Sequence, residues 1–330
     1  MKPNSLSARQ ASQILGGVGV SGPIGIELVH ERNHVWRLVC QAGSFFLKTH
    51  TKSWYAAHGD SHAFPVIHES GAWRCLGAHR LATPEVVAAE MGTANPLGRP
   101  FLLTRELAGQ SLGAVLRERP AFSAPLRAVG DYLRRMHAIA FTFPGYVSSE
   151  RGPTSPLQPG KWRHRCWTVE SRQKHARDTL EAEAGGLSVD VRGRMERAID
   201  SMPDRLRSSY EPPRFVHGDC HANTFFLVED GDEWHVTGTV DMEVASAGDA
   251  GEDLMKLCVE LAALLPASDR WWEALFDGYG ATPEFDHIKL RLLGMEPTEF
   301  AWIDGWPKRW NDVAQHIFDA RSWKQLLDLG

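Results

Sequence analysis

Between Gly25 and His50 apolar and polar side chains alternate, the period-two pattern of half-buried strands. Three short runs, "IGIELV", "HVWRLVC" and "SFFLKTH", are separated by "HERN" and "QAG", both turn material, which predicts an antiparallel meander. The period then changes. Val66, Glu69, Trp73 and Leu76 fall at offsets 0, 3, 7 and 10, on one face of a helix. Glu69 thus interrupts an apolar stripe. A glutamate at the edge of that stripe would reach water, whereas one that points inward needs a cation, and Lys48 in "FFLKTH" is the nearest strand-borne candidate.

Two further strands are expected in "LATPEVVAAE" and "PFLLTRELAG", the second ending at Ala108-Gly109 as a hinge. Residues 1–105 then form a small, mainly β unit that opens on a short helix (Ala8 to Leu15), and residues 106–330 form a larger, mainly helical one. Within the latter, Leu126, Val129, Leu133, Met136, His137 and Ala140 make a core-facing stripe, with His137 read as a buried, hydrogen-bonded histidine. Ser148 to Gly160 has loop composition, and the basic run Lys161 to Arg177 reads as a solvated helix face. "FFLVED" and "WHVTGTVDME" form a hairpin around Gly231-Asp232. The remainder is mainly helical and rich in tryptophan, with no internal repeat.

Composition narrows the function classes. The 330-residue chain is 43% hydrophobic, enough for a substantial core, and its 36 Lys and Arg against 41 Asp and Glu leave a charge of −5. No global attraction for nucleic acid or an anionic membrane follows from that balance, so any anionic ligand must be held by local groups. The N-terminus lacks a signal peptide's pattern and "LCVELAALLP" is too short to span a bilayer, which predicts a cytoplasmic protein. Five scattered cysteines without a CxxC pair suggest neither a disulfide framework nor a zinc ribbon. Oligomeric state is not encoded in any of these features.

"GVGVSG" (Gly17 to Gly22) satisfies G-x-G-x-x-G but follows a helix and precedes a strand, the wrong context for a dinucleotide fingerprint, and reads as a loop. "FVHGDCHANTFFL" (Phe215 to Leu227) carries His217, Cys220 and His221, close enough to share zinc, yet nothing elsewhere in the chain offers the remaining ligands. The alternative is a loop built around Asp219. Seventeen residues separate its successor strand's start from Asp241, and a hairpin of that size would bring Asp219, Asn223 and Asp241 toward one point. Such oxygen donors suit magnesium. Phosphoryl transfer needs a lysine on the donor phosphates, a metal over the phosphate oxygens and a carboxylate for the attacking hydroxyl. Lys48 with Glu69, Asp219 with Asn223, and Asp241 supply these in chain order.

"HGDCHAN" and "VDMEVASAGDAGEDL" resemble the catalytic and metal-binding signatures of the aminoglycoside phosphotransferase and choline kinase superfamily. The resemblance is specific in Val216 to Leu254 and weaker before it. It implies an α+β, bilobal, protein-kinase-like fold, with ATP and Mg2+ as cofactors and a small-molecule hydroxyl as acceptor. By the same resemblance Asp219 is the catalytic base, Asp241 the principal magnesium ligand, and Lys48 and Glu69 hold the ATP phosphates. "FLLTREL" matches the adenine-binding hinge, which points to Arg105 through Leu107, while Asp249 and Asp253 would brace the loop or cap a helix.

This chain departs from the family pattern at one place. The metal-binding asparagine usually stands five residues after the aspartate, where this chain has Thr224; Asn223 stands at four. Asn223 is favoured, because an amide carbonyl is the better magnesium ligand. Glu243 is a candidate ligand for a second metal. Trp271, Trp272, Trp302, Trp306, Trp310 and Trp323, with Glu296, Glu299 and Asp304, either pack helices or wall a site for an amine-bearing acceptor such as an aminoglycoside-like compound. The rival functions are a protein Ser/Thr kinase of the same superfamily and a pseudokinase that binds nucleotide without transferring phosphate. The lack of a clear activation segment between Asp241 and Asp253 speaks against the first, and the base at Asp219 against the second.

Overall fold

The computed structural model describes residues 5–31, 34–49, 63–118, 121–155, 168–295, 306 and 309–328. Two compact units emerge. The first comprises Met1–Ala108, Tyr146–Thr154 and Thr237–Ala245; the second comprises Gly109–Gly145, Ser155–Val236 and Ser246–Gly330. A boundary at residue 105 therefore differs from the observed one in two respects. The break falls three residues later, and two segments from far along the chain, one of them carrying Asp241, belong to the first unit.

In the first unit, helix α1 (Ala8–Gly17) is started by a reciprocal cap between Ser7 and Gln10. Strands β1 (Gly25–His30), β2 (Val35–Cys40) and β3 (Gly43–Lys48) follow as the predicted meander. Helix α2 (Phe64–Ala78) is longer than its four-residue stripe required, and β4 (Val86–Glu90) and β5 (Phe101–Arg105) complete an antiparallel sheet of order β1-β2-β3-β5-β4. Alternation is literal in β2, where Trp36, Leu38 and Cys40 are buried and their neighbours half-buried. With Phe45, Leu47, Phe101 and Leu103 they bury α1 through Ala11, Ile14 and Leu15. Each fully buried leucine there contributes roughly 1.5–3 kcal/mol. "GVGVSG" starts on the last residue of α1 and otherwise lies in the loop before β1, as its context predicted.

Helix α2 is pinned from two sides. Trp73 donates its indole N–H to the carbonyl of Thr239 at 2.8 Å, and Gly71 lies so near the strand Gly145–Ser149 that a Cβ there would stand 2.3 Å from the Ser148 carbonyl carbon. Only glycine permits that approach.

The second unit runs β6 (Gln110–Ser111), α3 (Leu112–Glu118), α4 (Ser123–His137), α5 (Val169–Glu183) and α6 (Val189–Tyr210). It continues through β7 (Arg214–Val216), β8 (Phe225–Asp230), β9 (Glu233–Thr239, whose last three residues enter the first unit) and β10 (Ser246–Gly248). Helices α7 (Gly251–Leu264), α8 (Trp271–Tyr279), α9 (Phe285–Leu292), α10 (Trp310–Asp319) and α11 (Trp323–Leu327) follow. In α4, Leu126, Val129, Leu133 and Met136 are fully buried, as their spacing predicts. Gly130 on α4 and Gly278 on α8 let the two helix backbones touch, since a Cβ at either would meet a carbonyl oxygen of the other helix at 2.2 or 2.1 Å. β7 pairs with β10 and β8 with β6, all antiparallel. Among the described residues no helix is long and apolar enough to cross a membrane.

Trp271, Trp272 and Trp306 are buried; Trp306 donates to the Val259 carbonyl, and half-buried Trp323 stacks edge-on against Phe276 and Phe285. These tryptophans pack helices. Trp302, Glu296, Glu299 and Asp304 lie outside the described residues, as does the first part of the basic run, residues 161–167.

Candidate active site

The lone carboxylate in the α2 stripe does find its cation. Glu69 is buried at 1% exposure, and the Lys48 ammonium at the end of β3 lies 3.2 Å from its Oε1 and 3.0 Å from its Oε2. Two more carboxylates of the first unit reach the same nitrogen: Asp241 Oδ1 at 2.5 Å and Glu243 Oε2 at 2.7 Å. Both follow β9. The backbone N–H of Met242, between them, points to Glu69 Oε1 at 3.4 Å. Asp241 holds a left-handed φ of 61°, a conformation that aspartate tolerates better than most residues and that turns its carboxylate onto Lys48.

One ammonium cannot neutralise three carboxylates, one of them fully and one largely buried. Burial alone would lower the Lys48 pKa, but Asp241, Glu243 and Glu69 outweigh it and hold the amine well above its ordinary value. Burial first, then Glu243 and Asp241, raise Glu69 against the pull of Lys48, which leaves it at about 8. Of the three carboxyl groups Glu69 is the most buried, and burial favours its neutral form. Among the described residues, Glu69, Asp241 and Glu243 form a group whose oxygens lie within 4.8 Å of one another, a hard-oxygen set suited to a divalent cation such as magnesium.

The proposed hinge residues are placed as follows. Arg105 ends β5, pairs with Glu85 at 2.8 Å and lies over the Phe45 ring at 5.2 Å. The N–H of Glu106 is committed to the Ser44 carbonyl at 3.0 Å. Leu107 occupies the space left by Gly238, and the Ala108 carbonyl accepts from Thr237 Oγ1 at 2.7 Å.

In the second unit Asp219 sits in the loop between β7 and β8, after Gly218 with φ 81°. The loop is held by backbone amides. Asp253, 1% exposed on α7, accepts from the N–H of His217 at 2.7 Å and of Gly218 at 2.9 Å, and its Oδ2 faces His137 Nε2 at 3.1 Å. Burial would raise the Asp253 pKa, but His137, His217 and the Gly218 amide outweigh it and lower the group below its ordinary value. His217 is fully buried, and its Nδ1 accepts from the Asp219 N–H at 3.2 Å, which assigns its own proton to Nε2. Asp249 accepts from the Gly251 N–H at 2.9 Å and binds the buried Arg291 at 2.6 Å, bracing the start of α7. Both aspartates are thus structural, as read from the sequence.

Cys220 is fully buried, and burial raises its thiol well above the ordinary value. Thr224 is fully buried too, its Oγ1 donating to the His221 carbonyl at 2.8 Å. Asn223 is exposed. Its Oδ1 accepts from Ser111 Oγ at 3.4 Å and occupies the space that a side chain at Gly113 would fill.

Two residues here escaped the sequence reading. Lys256 pairs with Asp219 Oδ1 at 2.5 Å, and Glu260 accepts from the Ala222 N–H at 2.5 Å while lying 3.9 Å from His221 Nδ1. Their signal was two polar positions, at offsets 3 and 7 from Asp253, on an otherwise apolar helix.

Residues 29–293 match the phosphotransferase enzyme family named APH, and the chain belongs to that family. Among solved structures it is similar to the GDP complex of aminoglycoside 2'-phosphotransferase-IIIa, at 16% identity, TM-score 0.57 and coverage of 95% of this chain and 92% of that one. It is similar also to the AMP complex of spectinomycin phosphotransferase, at 10% identity, TM-score 0.53 and coverage of 98% and 97%. An aminoglycoside phosphotransferase from Streptomyces rimosus matches at 19% identity, TM-score 0.51 and coverage of 86% and 95%. These likenesses establish the expected α+β, kinase-like fold.

Proposed function

We infer that this protein transfers the γ-phosphoryl group of ATP, with magnesium, to a hydroxyl of a small molecule, an amine-bearing compound being the first class to test. The observation that carries the reading is the gathering of Asp241 and Glu243 onto the Lys48–Glu69 pair, far apart in sequence and brought to one nitrogen. A buried cationic group framed by carboxylates serves no packing need. It does serve a nucleotide, whose phosphates take the ammonium while a divalent cation takes the carboxylates.

Asp219 supplies the remaining part. As the acceptor oxygen bonds to the γ-phosphorus, the bond to the bridging oxygen breaks, the electron pair leaves with ADP, and the hydroxyl proton passes to Asp219. Magnesium bound through Asp241, with Glu243 and Asn223 as further oxygen donors, would neutralise charge on the phosphate oxygens. The exposed amide of Asn223 and the committed hydroxyl of Thr224 favour the shorter register. Similar structures carry GDP and AMP, and one is of a spectinomycin phosphotransferase, which supports both a nucleotide donor and an amine-bearing acceptor.

The test is nucleotide consumption with ATP and with GTP against aminoglycosides, choline-type amines, sugars and generic protein substrates. Asp219→Asn should lower turnover by about 10²–10⁴-fold while nucleotide binding persists. Phosphorylation of protein substrates alone would replace the acceptor class, and nucleotide binding without any transfer would make the chain a pseudokinase.

A further inference from the structure

Helix α7 meets the Asp219 loop along one face. Asp253, Lys256 and Glu260 stand at offsets 0, 3 and 7, so their side chains project from the same side over two turns. Each holds a successive piece of the loop. Asp253 takes the N–H groups of His217 and Gly218, Lys256 takes the carboxylate of Asp219, and Glu260 takes the N–H of Ala222 beside His221. The face opposite is apolar, with Met255, Cys258 and Ala262 buried, so the helix cannot rotate without exposing its core side.

We propose that Lys256 is a positioning residue for Asp219, fixing one carboxylate oxygen so that the group meets the acceptor hydroxyl in a single orientation, with Glu260 anchoring the far end of the same loop. The inference rests on the reading of Asp219 as base. Asp253 alone secures only the residues before the aspartate. A carboxylate on a loop otherwise swings about its own χ angles, and a misplacement of about 1 Å at a reacting group can cost on the order of 10²-fold in rate. Lys256 removes that freedom. Its side chain is 27% exposed and that of Asp219 43%, so the pair lies at the surface of the second unit rather than in its core, where a purely structural ion pair would be sealed. Surface ion pairs contribute little to stability, which leaves orientation as the function that this one serves.

The experiment is a double-mutant cycle on nucleotide turnover, measured with the best acceptor of the screen and with water. Lys256→Met is expected to lower kcat by about 10- to 100-fold with the KM for nucleotide and the melting temperature unchanged. Lys256→Arg should recover most of the loss. In an Asp219→Asn background Lys256→Met should cost nothing further, because the residue acts through the carboxylate already removed. Turnover of Lys256→Met within twofold of the parent would overturn the inference, as would full additivity with Asp219→Asn or a loss that tracks melting temperature. Should Asp219→Asn itself retain turnover, the base assignment fails and this inference with it, an outcome distinct from the others. Circular dichroism of each variant separates misfolding from mispositioning, and Glu260→Gln gives a second arm, expected to lower kcat less than Lys256→Met does.

Discussion

Around Lys48 one ammonium faces three carboxylates, two of them nearly buried, whereas around Asp219 the polar groups are matched almost one to one and most donors are backbone amides. The first cluster is held by charge and carries an excess of negative groups. The second is held by geometry. A charge-held cluster responds to pH and to added cations, because either can change which oxygen takes the ammonium. An amide-held loop responds to neither near neutrality, and it fails only when an acceptor is removed. This division suits a phosphoryl-transfer enzyme, in which the phosphate-binding groups must re-pair when nucleotide arrives while the base must already be in place.

Removing the central acceptor of the loop should have the largest effect. Asp253→Ala strips the N–H groups of His217 and Gly218 and the ring of His137 of their buried partner, and is expected to cost about 4 kcal/mol, read by urea unfolding. Because the folded-state pKa of Asp253 lies below its unfolded value, its contribution is present above the unfolded pKa and lost only as pH falls through the folded one. The Asp253 carboxylate itself should therefore add no pH dependence near neutrality. A strong pH dependence between 6 and 8 that vanishes in Asp253→Ala would break the comparison.

Lys48→Met tests the other cluster. It leaves three carboxylates facing one another and should cost about 3 kcal/mol at neutral pH, with nucleotide binding lost. Unlike the Asp253 variant, it should recover stability on acidification, since protons can replace the missing ammonium. A Lys48→Met protein that binds and uses nucleotide normally would remove Lys48 from the phosphate site.

Glu69→Gln sharpens the pH argument. With its folded-state pKa raised to about 8, Glu69 contributes stability that is full below its unfolded value and is lost as pH rises through about 8. The parent should thus weaken between those limits, and Glu69→Gln should flatten the decline, a difference read from melts across the window. Equal slopes in both proteins would mean that Glu69 is ionised throughout.

Much of this contrast was legible in the sequence, and its gaps follow from physics. The Lys48–Glu69 pair could be inferred because a glutamate in an apolar stripe has to be compensated, and the burial cost makes the partner almost compulsory. The meander and the α4 stripe were legible because their periods are local. That Asp241 and Glu243 join the first unit was not, since unit membership depends on contacts between residues nearly two hundred apart. Lys256 and Glu260 were missed for another reason: on an apolar helix two polar residues read as a solvated rim, and only the position of the loop turns that rim into a contact.

The smallest expected effect bears on the register of the loop. Thr224 stands where the family's metal-binding asparagine would be, yet its hydroxyl is buried and committed to the His221 carbonyl, while Asn223 is exposed beside Ser111. Thr224→Val removes one buried hydrogen bond and should cost about 1 kcal/mol while leaving turnover near the parent's. Asn223→Ala should change stability by less than about 0.5 kcal/mol, and raise the magnesium concentration needed for half-maximal turnover by about tenfold. The two variants thus separate a residue that holds the loop from one that the loop presents. If the magnesium requirement moves in Thr224→Val and not in Asn223→Ala, the longer register is correct and the threonine must leave His221 to reach the metal.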